Sequence, residues 1–150
     1  MHTEAKPYRA FLWAGLIAGA LDITAAFVSS ALRGGAGPVG ILQSVASGLL
    51  GRRAFERGFS AAAVGLLAHF VIAFGAAAVY VAASRKLRFL VEHPVISGLL
   101  YGAAVYAFMN SVVVPLSAAP FKISYNLIGL GIHLVCVGLP IGLITARLSK

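Results

Sequence analysis

The chain has 150 residues, of which 60% are hydrophobic and only 11% carry a charge. A soluble domain carries a charge on about a quarter of its residues, so this composition excludes an ordinary soluble protein and predicts a polytopic membrane protein. The net charge of +8 does not indicate a nucleic-acid partner, because the basic residues lie at the ends of apolar segments, where they meet the headgroups of a lipid bilayer.

Four apolar segments follow one another along the chain, at about 10–32, 60–83, 95–117 and 126–147. Each reaches the roughly 20 residues that a helix needs to cross the hydrocarbon core. The first follows Lys6 and Arg9, as the core of a signal peptide would, but it is long for one and contains Asp22. We therefore interpret it as an uncleaved span. The sequence predicts a single all-α transmembrane domain over residues 1–150.

A shorter apolar piece at 38–51 lies between the first and second spans. It begins with Pro38, which suits the first turn of a helix, and as a helix it would be about 21 Å long, too short to cross a bilayer. Gln43, Ser44 and Ser47 give it a narrow polar strip. We expect either an interfacial helix or a re-entrant one, and the second needs protein or water to cover its open backbone.

The spans contain an internal repeat, in which the first and second resemble the third and fourth. The aligned residues are Gly15 and Gly19 with Gly98 and Gly102, and Gly65 and His69 with Gly129 and His133. Two helix pairs in the same orientation predict an approximate two-fold axis along the membrane normal, as in some transporters. Small residues four positions apart let helices approach closely, so we assign the glycine rows to helix packing.

The distribution of Lys and Arg predicts the orientation. With four spans, seven basic residues share the side of the two termini and five lie on the other side. Cytoplasmic loops carry the excess of Lys and Arg, so we expect both termini in the cytoplasm.

Asp22 is the only acid placed inside a span, and a charge at the centre of a bilayer costs at least about 2.5–3.5 kcal/mol, so it needs a partner. Helical rise puts the polar residues of the other segments in the same half of the membrane. The sequence therefore predicts a proton or substrate site formed by Asp22, His69, His133, Asn110 and Gln43. In an Asp–His pair, each partner favours the charged form of the other.

Other interpretations of these residues stay open. Asp22 would also serve as a hydrogen-bond acceptor that only holds helices together, and Gln43 and Asn110 as polar packing groups. His69 and His133, on different helices at similar depth, would suit the axial positions of a haem b iron. Two histidines and one carboxylate make a poor zinc set, so we expect no metal site unless the histidines bind one. Nucleophilic catalysis has no candidate residue, which argues against an enzyme.

Several short motifs resemble those of small bacterial inner-membrane proteins that form a conserved hypothetical family. They are Leu21-Asp22-Ile23-Thr24, Ile41-Leu42-Gln43-Ser44-Val45-Ala46-Ser47-Gly48, His69-Phe70 and Met109-Asn110. The resemblance implies four spans in a bacterial cytoplasmic membrane, and it implies no activity.

These observations favour a small proton-linked transporter or channel-like protein, with Asp22 as the protonatable group. The alternatives are a haem- or metal-binding protein and a structural subunit without a solute path. Because four spans leave little room for a pore, we also expect a homodimer. Gly138 and Gly142, which lie off the His133 row, are the predicted contact between its protomers.

Overall fold

The computed structural model describes residues 7–122 and 124–149, and these residues form helices and turns without a strand. The helices are α1 (Pro7–Leu32), α2 (Pro38–Leu50), α3 (Gly58–Ser84), α4 (Phe89–Glu92), α5 (Pro94–Leu116) and α6 (Leu127–Leu148). Within the described ranges, α1, α3, α5 and α6 are long and apolar enough to cross a bilayer. The predicted all-α membrane fold with four spans and a short helix near 38–51 is confirmed.

The long helices run back and forth, so the bundle has two distinct ends. At the terminal end lie the start of α1, the connector that contains α4, and the end of α6. At the insert end lie α2, a 3-10 turn at Gly51–Glu56, and the connector after α5. α2 and the connector after α5 are joined where the Ala118 amide donates a hydrogen bond to the Gly48 carbonyl, at 2.9 Å.

The two helix pairs pack through the same aligned positions. In the first pair, a Cβ at Gly15 would meet Phe74, and one at Gly19 would meet Phe70. In the second pair, a Cβ at Gly98 would meet the backbone of Gly138, and one at Gly102 would meet that of His133 and Leu134. Phe70 and Phe74 occupy the positions that align with Leu134 and Gly138. The absence of a glycine side chain therefore permits close approach at equivalent places in both halves.

The expectation that Gly138 and Gly142 face a second protomer is wrong. Both glycines are buried within the chain, where a Cβ at Gly138 would meet Gly98 and Gly102 and one at Gly142 would meet the Pro94 carbonyl. The reason lies in the repeat, because Gly138 aligns with Phe74, and Phe74 faces α1 in the first helix pair. Gly142 lies one turn further along the same face of α6.

The halves differ in how they meet each other. On one side of the bundle α1 packs closely against α6, because Ala14 and Ala18 share a buried cluster with Val137 and Ile141. On the other side α3 and α5 are linked near the terminal end, where the Tyr101 hydroxyl donates to the Ala76 carbonyl at 2.7 Å. Towards the insert end these two helices leave an apolar cleft between them.

The short helix α2 covers the insert-end half of α3. Its Leu42 carbonyl lies directly against Gly65, whose Cα is seven residues, or about 10 Å, along α3 from Gly58. The contact buries Ala46 and Ser47 of α2. Any side chain at position 65 would push α2 away from α3. The close packing of α2 on α3 therefore requires a glycine at this position.

Candidate functional site

The centre of the bundle brings Asp22 of α1 and His69 of α3 together. His69 Nδ1 lies 3.9 Å from Asp22 Oδ2, and His69 Nε2 lies 2.8 Å from the backbone carbonyl oxygen of Gly19. Asp22 is 15 residues from the start of α1 and His69 is 11 residues from the start of the antiparallel α3, so both lie well inside the span. One turn of α1 thus supplies both groups that contact the imidazole.

Local packing explains why the imidazole reaches α1. Gly19 has no side chain, and Phe70 lies in the space that a Cβ there would fill. The Phe70 ring also meets the His69 ring edge-on, with their centroids 5.4 Å apart. The side chains of His69 and Asp22 are 11% and 20% exposed, so the pair is largely enclosed but is not sealed from its surroundings.

The hydrogen bond to Gly19 determines how many protons the pair needs. A carbonyl oxygen only accepts, so His69 Nε2 must carry a hydrogen, and in a neutral imidazole Nδ1 then has a lone pair. That lone pair faces Asp22 Oδ2, which is also an acceptor when the carboxylate is ionised. One additional proton makes the contact favourable, either as imidazolium with carboxylate or as imidazole with carboxylic acid.

The other helix that packs against α1 is α6, and its Cys136 is half-buried. The middle of the spans contains no Lys or Arg, so His69 is the basic group available to Asp22. The site is a carboxylate, an imidazole and a backbone carbonyl.

His133 and Asn110 are held in the other half of the bundle. His133 Nδ1 donates to the Gly129 carbonyl of its own helix at 2.9 Å, and its ring packs edge-on against Tyr106, with centroids 5.2 Å apart. Asn110 donates to the Tyr106 carbonyl at 2.9 Å, again within its own helix. Both residues lie in π-helical turns, which are frequent at functional sites. The described contacts do not join either residue to Asp22.

Gln43 lies apart from both groups, at the insert end. It is buried, and its side-chain amide donates to the Gly58 carbonyl at 3.2 Å, where the chain enters α3. This contact fastens α2 to the start of α3. Of the five residues predicted to form a site, the structure therefore brings Asp22 and His69 together and places His133, Asn110 and Gln43 elsewhere.

The histidines do not share a common space in the described residues. His69 bonds to a carbonyl of α1 and His133 to a carbonyl of α6. Among the residues that the structure describes, no three His, Cys, Asp or Glu side chains are grouped as a metal ion would require. Haem b binding by His69 and His133 stays the alternative to a protein without a cofactor.

The sequence did not indicate the backbone contact at Gly19. That residue is recognisable as a packing glycine, but its carbonyl becomes a ligand of His69 only because the two helices touch there. Comparison with known proteins does not extend the assignment: no family model, curated protein or solved structure matches the chain.

Proposed function

We propose that this polytopic membrane protein is a proton-linked transporter or channel-like protein, in which Asp22 and His69 hold one exchangeable proton between them. The observation that supports this proposal is the contact described above. His69 Nε2 is committed to the Gly19 carbonyl, and Nδ1 faces the Asp22 carboxyl at 3.9 Å. A carboxylate and a neutral imidazole would place two acceptors opposite each other. With one additional proton, the Asp22 carboxyl and His69 Nδ1 have a donor and an acceptor between them.

The charge of the pair supports a role for this proton in transport. With the proton bound the pair has no net charge, and after its loss the pair carries one negative charge inside the span. An intramembrane charge is costly, so ionisable residues placed there generally belong to ion pathways or proton relays. Release of the proton to one side and its recovery from the other would couple the pair to a gradient.

The membrane location, the orientation and the oligomeric state of the protein are proposed on separate grounds. The resemblance of the motifs around Asp22 and Gln43 to small bacterial inner-membrane proteins supports a bacterial cytoplasmic membrane. The excess of Lys and Arg on the side of the termini supports cytoplasmic termini. A homodimer remains part of the proposal, through a face other than Gly138 and Gly142.

The experiment is proton flux in proteoliposomes. Purified protein is reconstituted into liposomes that contain a pH-sensitive dye. A potassium diffusion potential that makes the liposome interior negative drives proton entry. The measurement is made without solute and with pools of small solutes. We expect entry above the rate of protein-free liposomes in at least one condition, and loss of this excess in Asp22→Asn and His69→Gln.

The second substitution separates proton binding from structure. A glutamine at 69 retains an N–H that can donate to the Gly19 carbonyl, but it does not titrate. The matched control is His133→Asn, whose amide can replace the Nδ1–H bond to Gly129 and which should leave flux unchanged. Flux that is equal in the parent and in Asp22→Asn would contradict the proposal.

A further inference from the structure

A long apolar slot runs along the side of the bundle between α3 and α5. It consists of two clefts with volumes of ≈ 600 Å³ and ≈ 610 Å³, and Ile72, Met109 and Val113 line both. We call the joined clefts the α3–α5 slot. Its α3 wall runs from Val64 to Val79, which is 15 residues or about 22 Å of helix. The Asp22–His69 pair is not part of its lining.

The two ends of the slot differ. At the terminal end the Tyr101 hydroxyl is bonded to the Ala76 carbonyl at 2.7 Å, and the Tyr101 ring packs against Tyr80. At the insert end the slot continues into a smaller cleft, which shares Ser117 and Phe121 with it. The side chain of Lys122 lines this smaller cleft, so the mouth of an otherwise apolar slot carries a cation.

Further basic residues lie at the same end of the bundle. The 3-10 turn after α2 contains Arg52 and Arg53, both exposed, together with Glu56. The turn lies next to the connector after α5, because a Cβ at Gly51 would be 3.6 Å from the Ala118 carbonyl oxygen. The mouth of the slot therefore opens onto a surface on which positive charge predominates.

We propose that the α3–α5 slot binds one acyl chain of an anionic phospholipid, with the headgroup at Lys122. The slot offers about 22 Å of apolar wall, which exceeds the roughly 15 Å depth of one leaflet. Its mouth at the insert end places an anion beside a lysine. Basic pockets between transmembrane helices bind acidic headgroups for the same electrostatic reason.

The charge at the mouth of the slot argues for a lipid over a partner helix. A partner helix would meet Lys122 without a compensating charge unless it carried an acid at that position.

A glycine within the slot provides the test of the chain-binding part. Gly75 lines the slot, and a Cβ there would have no atom within 4 Å, so Gly75→Leu fills the space without disturbing the fold. The matched control is Gly131→Leu, because Gly131 is equally open and lies on α6 outside the slot. Lys122→Gln tests the headgroup part, with Lys86→Gln at the terminal end as its control.

The measurement is native mass spectrometry of the detergent-purified protein, titrated with phosphatidylglycerol, phosphatidylcholine of the same chains, or oleate. We expect the parent to retain one phosphatidylglycerol, Gly75→Leu to lose it, and Gly131→Leu to keep it. Lys122→Gln should reduce the affinity for phosphatidylglycerol about fivefold and that for phosphatidylcholine little, while Lys86→Gln should change neither.

Three outcomes would overturn the proposal. If Gly75→Leu and Gly131→Leu retain phosphatidylglycerol equally, the slot is not where the chain binds. If the parent binds phosphatidylcholine as tightly as phosphatidylglycerol, the anionic headgroup is not recognised. If oleate displaces phosphatidylglycerol at equal concentration, the ligand is a fatty acid and not a phospholipid.

Discussion

Replacing Gly138 with alanine should destabilise the monomer itself, because this glycine lies against the backbone of α5. The added Cβ would lie 2.6 Å from the Gly102 Cα, whereas ordinary contacts begin at 3.4 Å. The helices must therefore separate by more than about 0.8 Å (3.4 − 2.6), because the Gly98 carbonyl oxygen lies even closer to the added Cβ, or they must shift along each other. Because the obstacle is backbone on both sides, no side-chain rotation relieves it.

The change in the free energy of unfolding is the sum of two opposing contributions. Overpacking of this kind costs about 1–3 kcal/mol, and replacing glycine by alanine within a helix returns about 0.5–1 kcal/mol. Gly131→Ala is the matched control, since its Cβ meets nothing within 4 Å and only the second contribution applies. The free energies of unfolding of the two variants should therefore differ by about 1–3 kcal/mol, with Gly131→Ala the more stable.

The assay is unfolding of the purified protein in mixed micelles by increasing SDS, followed by far-ultraviolet circular dichroism. Sedimentation in mild detergent should give the same oligomeric state for both variants and the parent, because Gly138 faces α5 of its own chain. Equal stabilities of Gly138→Ala and Gly131→Ala, combined with loss of a dimer only in Gly138→Ala, would refute this reasoning and restore the intermolecular contact.

Three further predictions concern other parts of the bundle. Thr145→Val should raise the free energy of unfolding by about 1 kcal/mol in the same assay. The buried Thr145 hydroxyl has no hydrogen-bond partner among the described residues, and a valine side chain has the same shape as threonine. A loss of stability would show that the hydroxyl is bonded. Tyr101→Phe should lower the free energy of unfolding by about 0.5–1.5 kcal/mol, because it removes the hydroxyl that donates to the Ala76 carbonyl and joins α5 to α3. An unchanged midpoint of SDS unfolding would contradict that link. The purified protein should show no Soret absorption, because His69 and His133 bond to carbonyls of different helices. A Soret band that disappears in His133→Asn would instead support the haem alternative.

Length and composition were sufficient to predict the helices. The spans required only runs of about 20 apolar residues, and α2 required only Pro38 at its start and Gly51 after its end. The close contacts of the glycine rows were predictable for a similar reason. A residue without a side chain is useful where helices touch, so Gly15 and Gly98 indicated the packing faces in both halves.

The polar site was only partly predictable, because depth in the membrane does not determine the direction of a side chain. Asp22 and His69 lie at one depth on two neighbouring helices and do meet. His133 lies at a similar depth but bonds to Gly129 of its own helix. The sequence also did not indicate the π-helical turn that begins at His133, because i, i+4 counting does not anticipate such a turn.

The central claim, that Asp22 and His69 share one proton, is tested most directly by the protonation of the His69 ring nitrogens. Solid-state NMR of protein labelled with ¹⁵N-histidine in liposomes resolves both nitrogens, and His69→Gln identifies their signals. We predict that Nε2 carries a hydrogen at every pH, since it donates to the Gly19 carbonyl. We also predict that the Nδ1 signal shows a hydrogen shared with the Asp22 carboxyl, and that Asp22→Asn changes this signal. A hydrogen on Nδ1 with a lone pair on Nε2, or an Nδ1 signal that Asp22→Asn leaves unchanged, would contradict the account.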